Sequence, residues 1–206
     1  MNTNALTLLR KLTLVVLAAA ALGGCAALVV GGAVGTALVV SDRRTSGVQV
    51  EDQAIELKAV TRIRETVGER GHINATSYNR TVLVTGEVAS EADRTALEQT
   101  ISRIENVRAV VNELAVMGST SLTARSNDAV LTSKVKATYV DAKDLQSNAI
   151  KVVTERGTVY LMGRVTEREA TRAADLARGV SGVQKVVRVF EVLTEAELAE
   201  LGGNKS

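Results

Sequence analysis

Two side chains in this chain of 206 residues stand out for the chemistry they could carry: Cys25, the only cysteine, and His72, the only histidine. Cys25 follows Leu22-Gly23-Gly24 and closes an apolar run, Leu12 to Leu22, broken only by Thr13 and preceded by Arg10 and Lys11. A basic start, an apolar stretch and small residues before a cut site make a secretory signal. A thiol directly after two glycines can accept acyl chains and become the new N-terminus after cleavage. The segment therefore reads as a bacterial lipobox, with 1–24 as signal peptide, Cys25 as the lipidation site (palmitate-type chains) and 25–47 as a lipidated tether. An ordinary signal with an incidental cysteine is the first alternative. The second is a membrane span, because Leu12 to Val40 carries no charge and Gly31 and Gly35 form a GxxxG pair. Cleavage before Cys25 would leave too short a run, which favours the tether. Ala26 rather than Asp follows the cysteine, which resembles an outer-membrane address, with the mature chain facing the periplasm.

His72 stands just before a predicted strand. With no second His or Cys to work with, it reads as a strand-edge residue rather than a ligand or base. Asp141 and Asp144 share a loop and could be paired carboxylates or a weak cation site, but loops carry aspartate without such a role. No HExxH, CxxC, GxSxG or Walker pattern occurs. We expect no catalytic residue, no metal and no cofactor: not an enzyme. With no Trp, one Phe and three Tyr, the chain lacks a base-stacking platform, and nucleic acid is not an expected partner.

The elements that would position any site come from an internal repeat. Thr81-Val-Leu-Val-Thr-Gly86-Glu-Val88 aligns with Thr158-Val-Tyr-Leu-Met-Gly163-Arg-Val165 at an offset of 77, and Asp52, Ile55 and Lys58 align with Asp128, Leu131 and Lys134 at 76. Val107 and Val110 match Val183 and Val186, again at 76. Each unit reads helix, strand, strand, helix, strand. In the first unit the pattern predicts a helix near 51–67, strands 72–77 and 81–85, a helix over 91–103 and a strand over 108–116. In the second, Asn127 or Asp128 is a plausible N-cap, and Leu131, Val135, Thr138 and Tyr139 form a helical stripe. Strands 150–154 and 158–162 are joined by Glu155-Arg156-Gly157, with the glycine taking a positive φ. A helix over 167–178 and a strand over 186–193 complete the unit. Units this small bury limited apolar area, so the two should dock on each other. The expected domains are 48–117 and 125–193, with a polar linker 118–124. Thr194-Glu-Ala-Glu197 is a capping box opening a short acidic helix and tail, 194–206, to which no role attaches.

Charge divides the repeats. Residues 48–117 hold 8 basic and 11 acidic side chains, whereas 123–193 hold 12 and 8. Only the second unit is basic, and a basic surface is drawn to anionic headgroups. On its first helix Val130, Ser133, Lys134, Ala137 and Val140 cluster away from the core stripe, with Lys136 beside them. Apolar residues could enter a headgroup boundary there while ammonium groups meet phosphate. Packing of Val130 and Val140 on the other unit is the alternative. The first unit's counterpart (Ala54, Leu57, Lys58, Thr61, Arg64) has Glu56 and Glu65 close by and looks less suitable.

The repeat resembles the BON domain, through Asp128, Leu131, Lys134-Val135-Lys136, Ile150-Lys-Val-Val-Thr154, Gly157-Thr-Val-Tyr-Leu-Met-Gly163 and Val180-Ser-Gly-Val183. The fit is strong in the second unit and looser in the first, where Arg80 stands at the place of Gly157. The lipobox, Val34-Gly35-Thr36 and Val48-Gln49-Val50 are similar to the dual-BON outer-membrane lipoproteins. The resemblance implies an α+β fold: two tandem αββαβ domains, each a small three-stranded mixed sheet packed by two helices. It also implies absence of catalysis, and docking of the second domain on anionic phospholipid of the phosphatidylglycerol or cardiolipin type through its first helix (Val130, Lys134, Lys136, Ala137, Val140). A role in outer-membrane integrity at the division site follows from it too. A protein-protein adaptor for envelope assembly or cell-wall remodelling, with envelope proteins as partners, and an osmotic-stress chaperone are the competing functions.

Overall fold

A computed structural model describes residues 42–68 and 70–203. The expected signal peptide, the Cys25 lipidation site and the apolar run 26–40 lie outside the described residues. Every described element falls in one compact unit, Ser41–Ser206.

The first repeat comprises α1 (Ser46–Val67), β1 (His72–Tyr78), β2 (Thr81–Val88), α2 (Glu91–Ser102) and β3 (Ala109–Val116). The second comprises α3 (Leu122–Asp141), a one-turn 3₁₀ helix (Ser147–Ala149), β4 (Ile150–Glu155), β5 (Thr158–Thr166), α4 (Glu167–Arg178) and β6 (Lys185–Leu193). A last helix, α5 (Glu195–Gly203), follows the capping box: the Glu197 N–H donates to Thr194 Oγ1, and the Thr194 N–H to Glu197 Oε2. Each sheet has three strands in sequence order. The first two strands pair antiparallel and the third lies parallel to the second, reached by the crossover helix. This is the α+β tandem architecture that the repeat implies.

Both hairpins are two-residue turns. Tyr78 pairs with Thr81 across Asn79-Arg80 (φ 48° and 66°), and Glu155 pairs with Thr158 across Arg156-Gly157 (φ 50° and 68°). Two positive φ values in sequence make type I′ turns, whose twist matches the flanking strands. Arg156 thus shares the left-handed conformation expected of Gly157 alone.

Helix starts differ from the sequence reading. α3 opens at Leu122, capped by Ser121, whose Oγ accepts the Ala124 N–H at 3.2 Å. Asn127 and Asp128 are therefore inside the helix, and the expected linker contains its first turn. Likewise α1 opens at Ser46 under Thr45, whose Oγ1 accepts the Val48 N–H, so the expected tether runs into it. In both cases a single hydroxyl residue in a polar stretch provides the cap.

Among the described residues, apolar side chains gather in three cores. In the first domain, Ile55, Ala59 and Ile63 of α1 and Leu97 and Ile101 of α2 meet Val82 and Val84 of β2. In the second, Val135 and Tyr139 of α3 and the alanines of α4 meet Val159, Leu161 and Val165 of β5. The alternate residues of the same strands face the other way. Leu83 of β2 and Tyr160 and Met162 of β5 form a third core with Tyr78, walled by Val111, Val153, Val187 and Val189. The order of layers is thus helices, sheet, sheet, helices. Both faces of β2 and β5 are buried, which is why Val82 to Val84 and Val159 to Met162 are apolar at every position rather than at alternate ones.

Polar side chains finish the seam. Arg156 crosses to the Gly86 carbonyl and Glu87 at 2.8 Å, and Asn79 donates to Glu191 on the other domain. Lys151 reaches Glu56 at 2.9 Å and the Ser77 carbonyl at 3.2 Å. Just before α1, Arg43 is clamped to the second domain. It donates to both oxygens of Glu169 at 2.7 Å and to the Arg164 carbonyl at 2.8 Å. Its neighbour Arg44 turns to the first domain, pairs with Asp52 at 2.7 Å and lies 4.1 Å from the centre of the Tyr78 ring.

Candidate functional site

α3 carries the residues singled out for membrane contact, and its burial pattern shows which of them are free to make it. At about 1.5 Å per residue its 20 residues run roughly 30 Å along the outer layer of the second domain. The inward side holds Asp128, Leu131, Val135 and Tyr139, all buried. The Tyr139 hydroxyl donates to the Ala173 carbonyl at 2.9 Å, and the Thr132 and Thr154 hydroxyls meet at 2.7 Å, so the helix is fixed to α4 and β4. Thr138, expected in the core stripe, is only half-buried and donates to the Lys134 carbonyl.

The outward side holds Leu122, Val130 and Val140, exposed to 78%, 54% and 71%. Ala129, Ser133, Lys134, Lys136 and Ala137 are exposed with them. Val130 and Val140 are thus not packed into the seam with the first domain. By the helical period Leu122, Ser133, Ala137 and Val140 form a stripe, and Lys134 and Lys136 emerge on opposite sides of it. Among the described residues neither lysine is in an ion pair.

α1 offers a closer comparison than its sequence suggests. Val50, Leu57 and Val60 are more than half exposed on its outer side, so apolar surface alone does not distinguish the two helices. Charge pairing separates them in part: Lys58 is 3.4 Å from Glu105 and Arg62 is 2.9 Å from Glu65, whereas Arg64, also exposed on α1, is in no ion pair among the described residues.

Beside the inner half of α3 lies a cleft of about 620 Å³, lined by Asn127, Val130, Lys134, Gly157, Ser181 and Gln184 among others. Of these only Val130 and Lys134 were candidates from sequence. The signal for Asn127 and Ser181 was present in the repeat itself: at an offset of 76 they replace Glu51 and Glu105. The floor is formed by Asp128, whose oxygens accept the Arg156 and Gly157 amide hydrogens at 2.8 and 2.9 Å.

The other candidates have structural partners. Asp144 does not pair with Asp141. It meets Arg172 at 2.8 Å, and that guanidinium holds its carboxyl below the usual range. Among the described residues no cluster of three or more His, Cys, Asp or Glu could hold a metal ion. His72 opens β1 with its Nε2 3.1 Å from Asn74 Nδ2, and Asn74 in turn donates to Glu155 across the seam at 3.3 Å.

Comparison with known proteins supports the repeat. The BON domain matches residues 51–118 and again 127–194. The chain is 37% identical over 188 residues to an outer membrane lipoprotein, DolP, of Haemophilus influenzae, covering 90% of this chain and 97% of that protein. It is 28% identical to a 21 kDa hemolysin of Actinobacillus pleuropneumoniae, over 72% of this chain and 78% of that one. It is 26% identical to osmotically-inducible protein Y of Escherichia coli, over 66% and 70%.

Proposed function

Because the chain belongs to the BON-domain family and carries the domain twice, we propose that it is a non-enzymatic, outer-membrane-associated protein that reads anionic phospholipid through α3. Its nearly full-length similarity to an outer membrane lipoprotein supports the location. Acylated Cys25 is the anchor, with the two domains facing the periplasm. The observation that carries the lipid reading is the outward stripe of α3, with its two unpaired lysines on the domain of net positive charge. Val130, Ala137 and Val140 enter the headgroup boundary while Lys134 and Lys136 meet phosphate, at about 1 kcal/mol for each well-placed cation. A covalent anchor and a weak second contact act together by effective concentration, drawing the protein to zones rich in phosphatidylglycerol or cardiolipin. Upkeep of outer-membrane integrity, at the division site among other places, is the role that follows.

The test is sedimentation of residues 42–206, which contain every described element and all three cores, with neutral and with anionic vesicles at low and high salt. We expect binding to anionic vesicles only, weakened by salt. The double variant Val130→Glu, Lys134→Glu should lose it while keeping its thermal midpoint, since both side chains are exposed. Retained binding would remove α3 from the site.

The exposed Val50, Leu57 and Val60 of α1, in the opposite outer layer, favour a second reading, an adaptor for an envelope protein. Salt-insensitive binding of one protein partner, abolished by Leu57→Glu and untouched by Val130→Glu, would establish it.

A further inference from the structure

A strand at the rim of a sheet leaves half of its backbone N–H and C=O groups without a partner unless something else takes them. β3 and β6 hold equivalent rims, each parallel to the central strand of its sheet on one side only. The Met117 N–H reaches the Val88 carbonyl at 3.0 Å and continues the ladder of β2 and β3. The odd-numbered residues of β3 therefore turn their backbone to β2, and the even-numbered ones turn it outward. One outward group is taken at home: the Leu114 N–H donates to Asn112 Oδ1 at 3.2 Å, and the Asn112 amide is held by the Arg94 carbonyl and Glu98 of α2. Side chains cover the rim of β1 too. Glu56 accepts the Ser77 N–H at 2.8 Å, and Lys151 donates to the Ser77 carbonyl at 3.2 Å.

β6 has no such cover. At the repeat offset of 76, Arg188 replaces Asn112 and Phe190 replaces Leu114. The equivalent register turns the backbone of Val186, Arg188, Phe190 and Val192 outward, and arginine carries no acceptor for a neighbouring N–H. Among the described residues nothing but β5 hydrogen-bonds to the backbone of 185–193. Beside this rim lies an open groove of about 430 Å³, lined by five consecutive residues, Val187 to Glu191, and by Arg108 and Val111 among others. Those five residues span roughly 16 Å of strand. No residue of α1 or α3 lines the groove. Its charge is uneven. Glu191 is held by Arg164 at 3.1 Å and by Asn79. Arg188 shares an exposed pair with Glu167, of the kind that contributes little. Arg108 is exposed and in no ion pair among the described residues.

We propose that β6 is a peptide-binding rim, which takes up an extended acidic segment of a partner protein as a fourth strand of the second sheet. A row of alternating N–H and C=O groups is matched by another extended backbone, and pockets beside it select the side chains. The apolar side chains of the added strand lie against Val111, Val187 and Val189, and its carboxylates meet Arg108 and Arg188. Charge decides between a partner and a second copy of this chain. A second β6 would bring its own Lys185, Arg188 and Arg108 to a place that already holds them, whereas an acidic strand neutralises them. The site stands apart from both outer helices, so it does not depend on what α1 or α3 binds.

The experiment uses residues 42–206 and a short acetylated peptide in which valine alternates with glutamate. One control has lysine in place of glutamate. The other is the glutamate peptide with every amide N-methylated, which keeps its side chains and cannot form a ladder. The glutamate peptide should bind about tenfold more tightly than either control. On binding, amide exchange at Arg188 and Phe190 should slow about tenfold while that of Leu114 stays unchanged. Arg188→Pro removes an outward N–H where a rim strand tolerates proline and should abolish binding. Arg108→Glu, at an exposed position, should weaken it about tenfold. If Arg188→Pro lowers the thermal midpoint, Arg108→Glu and the N-methylated peptide still decide the matter. Equal binding of the N-methylated peptide would overturn the added strand, and equal binding of the lysine peptide would overturn its acidic character. No binding of the glutamate peptide would overturn both. Protection of Arg188 and Phe190 without peptide, rising with protein concentration as a dimer forms, would give the rim to a second copy and overturn the proposal as well.

Discussion

The Asp128 carboxylate accepts the Gly157 backbone N–H at 2.9 Å, and with the Arg156 N–H at 2.8 Å it fastens the middle of α3 to the β4–β5 turn. Asp52 does the same for the first domain and more. It receives the Asn79 and Arg80 amides at 2.8 Å, the Ser77 hydroxyl at 2.7 Å and the Arg44 guanidinium at 2.7 Å. Hydrogen bonds to a charged group contribute about 1.5–3 kcal/mol each and do not add fully. Asp128→Ala should therefore cost about 3 kcal/mol in urea unfolding, and Asp52→Ala more. Burial alone would raise the Asp52 carboxyl. The Ser77 hydroxyl, the two amides and Arg44 outweigh it and hold the group below its ordinary 3.8. A lowered acid contributes stability above its unfolded value and loses it as pH falls through the folded one. Asp52→Asn should therefore flatten the loss of stability that the wild type shows below about pH 4.

Arg43 is the second position where one substitution should be felt across the molecule. Both it and Glu169 are almost wholly buried, at 7% and 8% side-chain exposure. The Arg43 guanidinium, ahead of the Thr166 cap, holds the Glu169 carboxyl below the usual range. Removing one member of a buried pair leaves an uncompensated charge at a cost of about 3–5 kcal/mol. Because Glu169 keeps the Thr166 N–H at 3.0 Å, Arg43→Ala should fall near 3 kcal/mol. That corresponds to a fall of roughly 6–12 °C in calorimetry for a domain pair of this size. Adding Glu169→Ala should cost less than the sum of the two single changes, the sign of direct coupling.

Glu155 sits in the seam with the opposite sign. Burial pushes its carboxyl above the ordinary 4.5; Asn74 opposes this, and the nearby Glu87 charge adds to it. A raised acid favours the fold while protonated, and that contribution is lost as pH rises through the folded value. Glu155→Gln keeps an acceptor for Asn74 without the charge. Its thermal midpoint should exceed the wild type's at pH 7, with the gain shrinking towards pH 4.5. A constant difference across that range would assign the effect to packing instead.

The sequence carried the repeat, the strand order within each unit and the hairpin positions because those are written at short range. Alternation on β1, the short apolar runs in β2 and β5 and the two-residue turns all lie within a few positions. The seam was foreshadowed by the same runs, since a strand apolar on both faces needs cover on both. Other features are written between distant residues. The Arg43 clasp joins positions 126 residues apart. Asp128 looked like a cap for its own helix, because a cap is the local use of aspartate, whereas its partners lie 28 and 29 residues on. The same limit applies to the site. The stripe of α3 could be read from its period, and Glu56 and Glu65 marked the helix of Lys58 as the less suitable one, but the partner of Lys58 could not be read from its own helix. That partner is the residue 47 positions downstream, glutamate in the first domain and serine in the second.

The sheet-to-sheet core bears on what either half could do alone. Tyr78 and Leu83 on one sheet and Tyr160 and Met162 on the other are kept from water by each other and by the valines around them. Each half therefore acts as the solubilising cover of its neighbour, and a chain cut at the linker would yield two pieces with a sticky flat face. Because the faces are related by the repeat, either piece could satisfy itself with a second copy of its own kind. The tandem arrangement holds in one polypeptide a sheet-on-sheet pairing that two separate copies would otherwise have to make. It also releases one copy to change its surface while the other preserves the shared core.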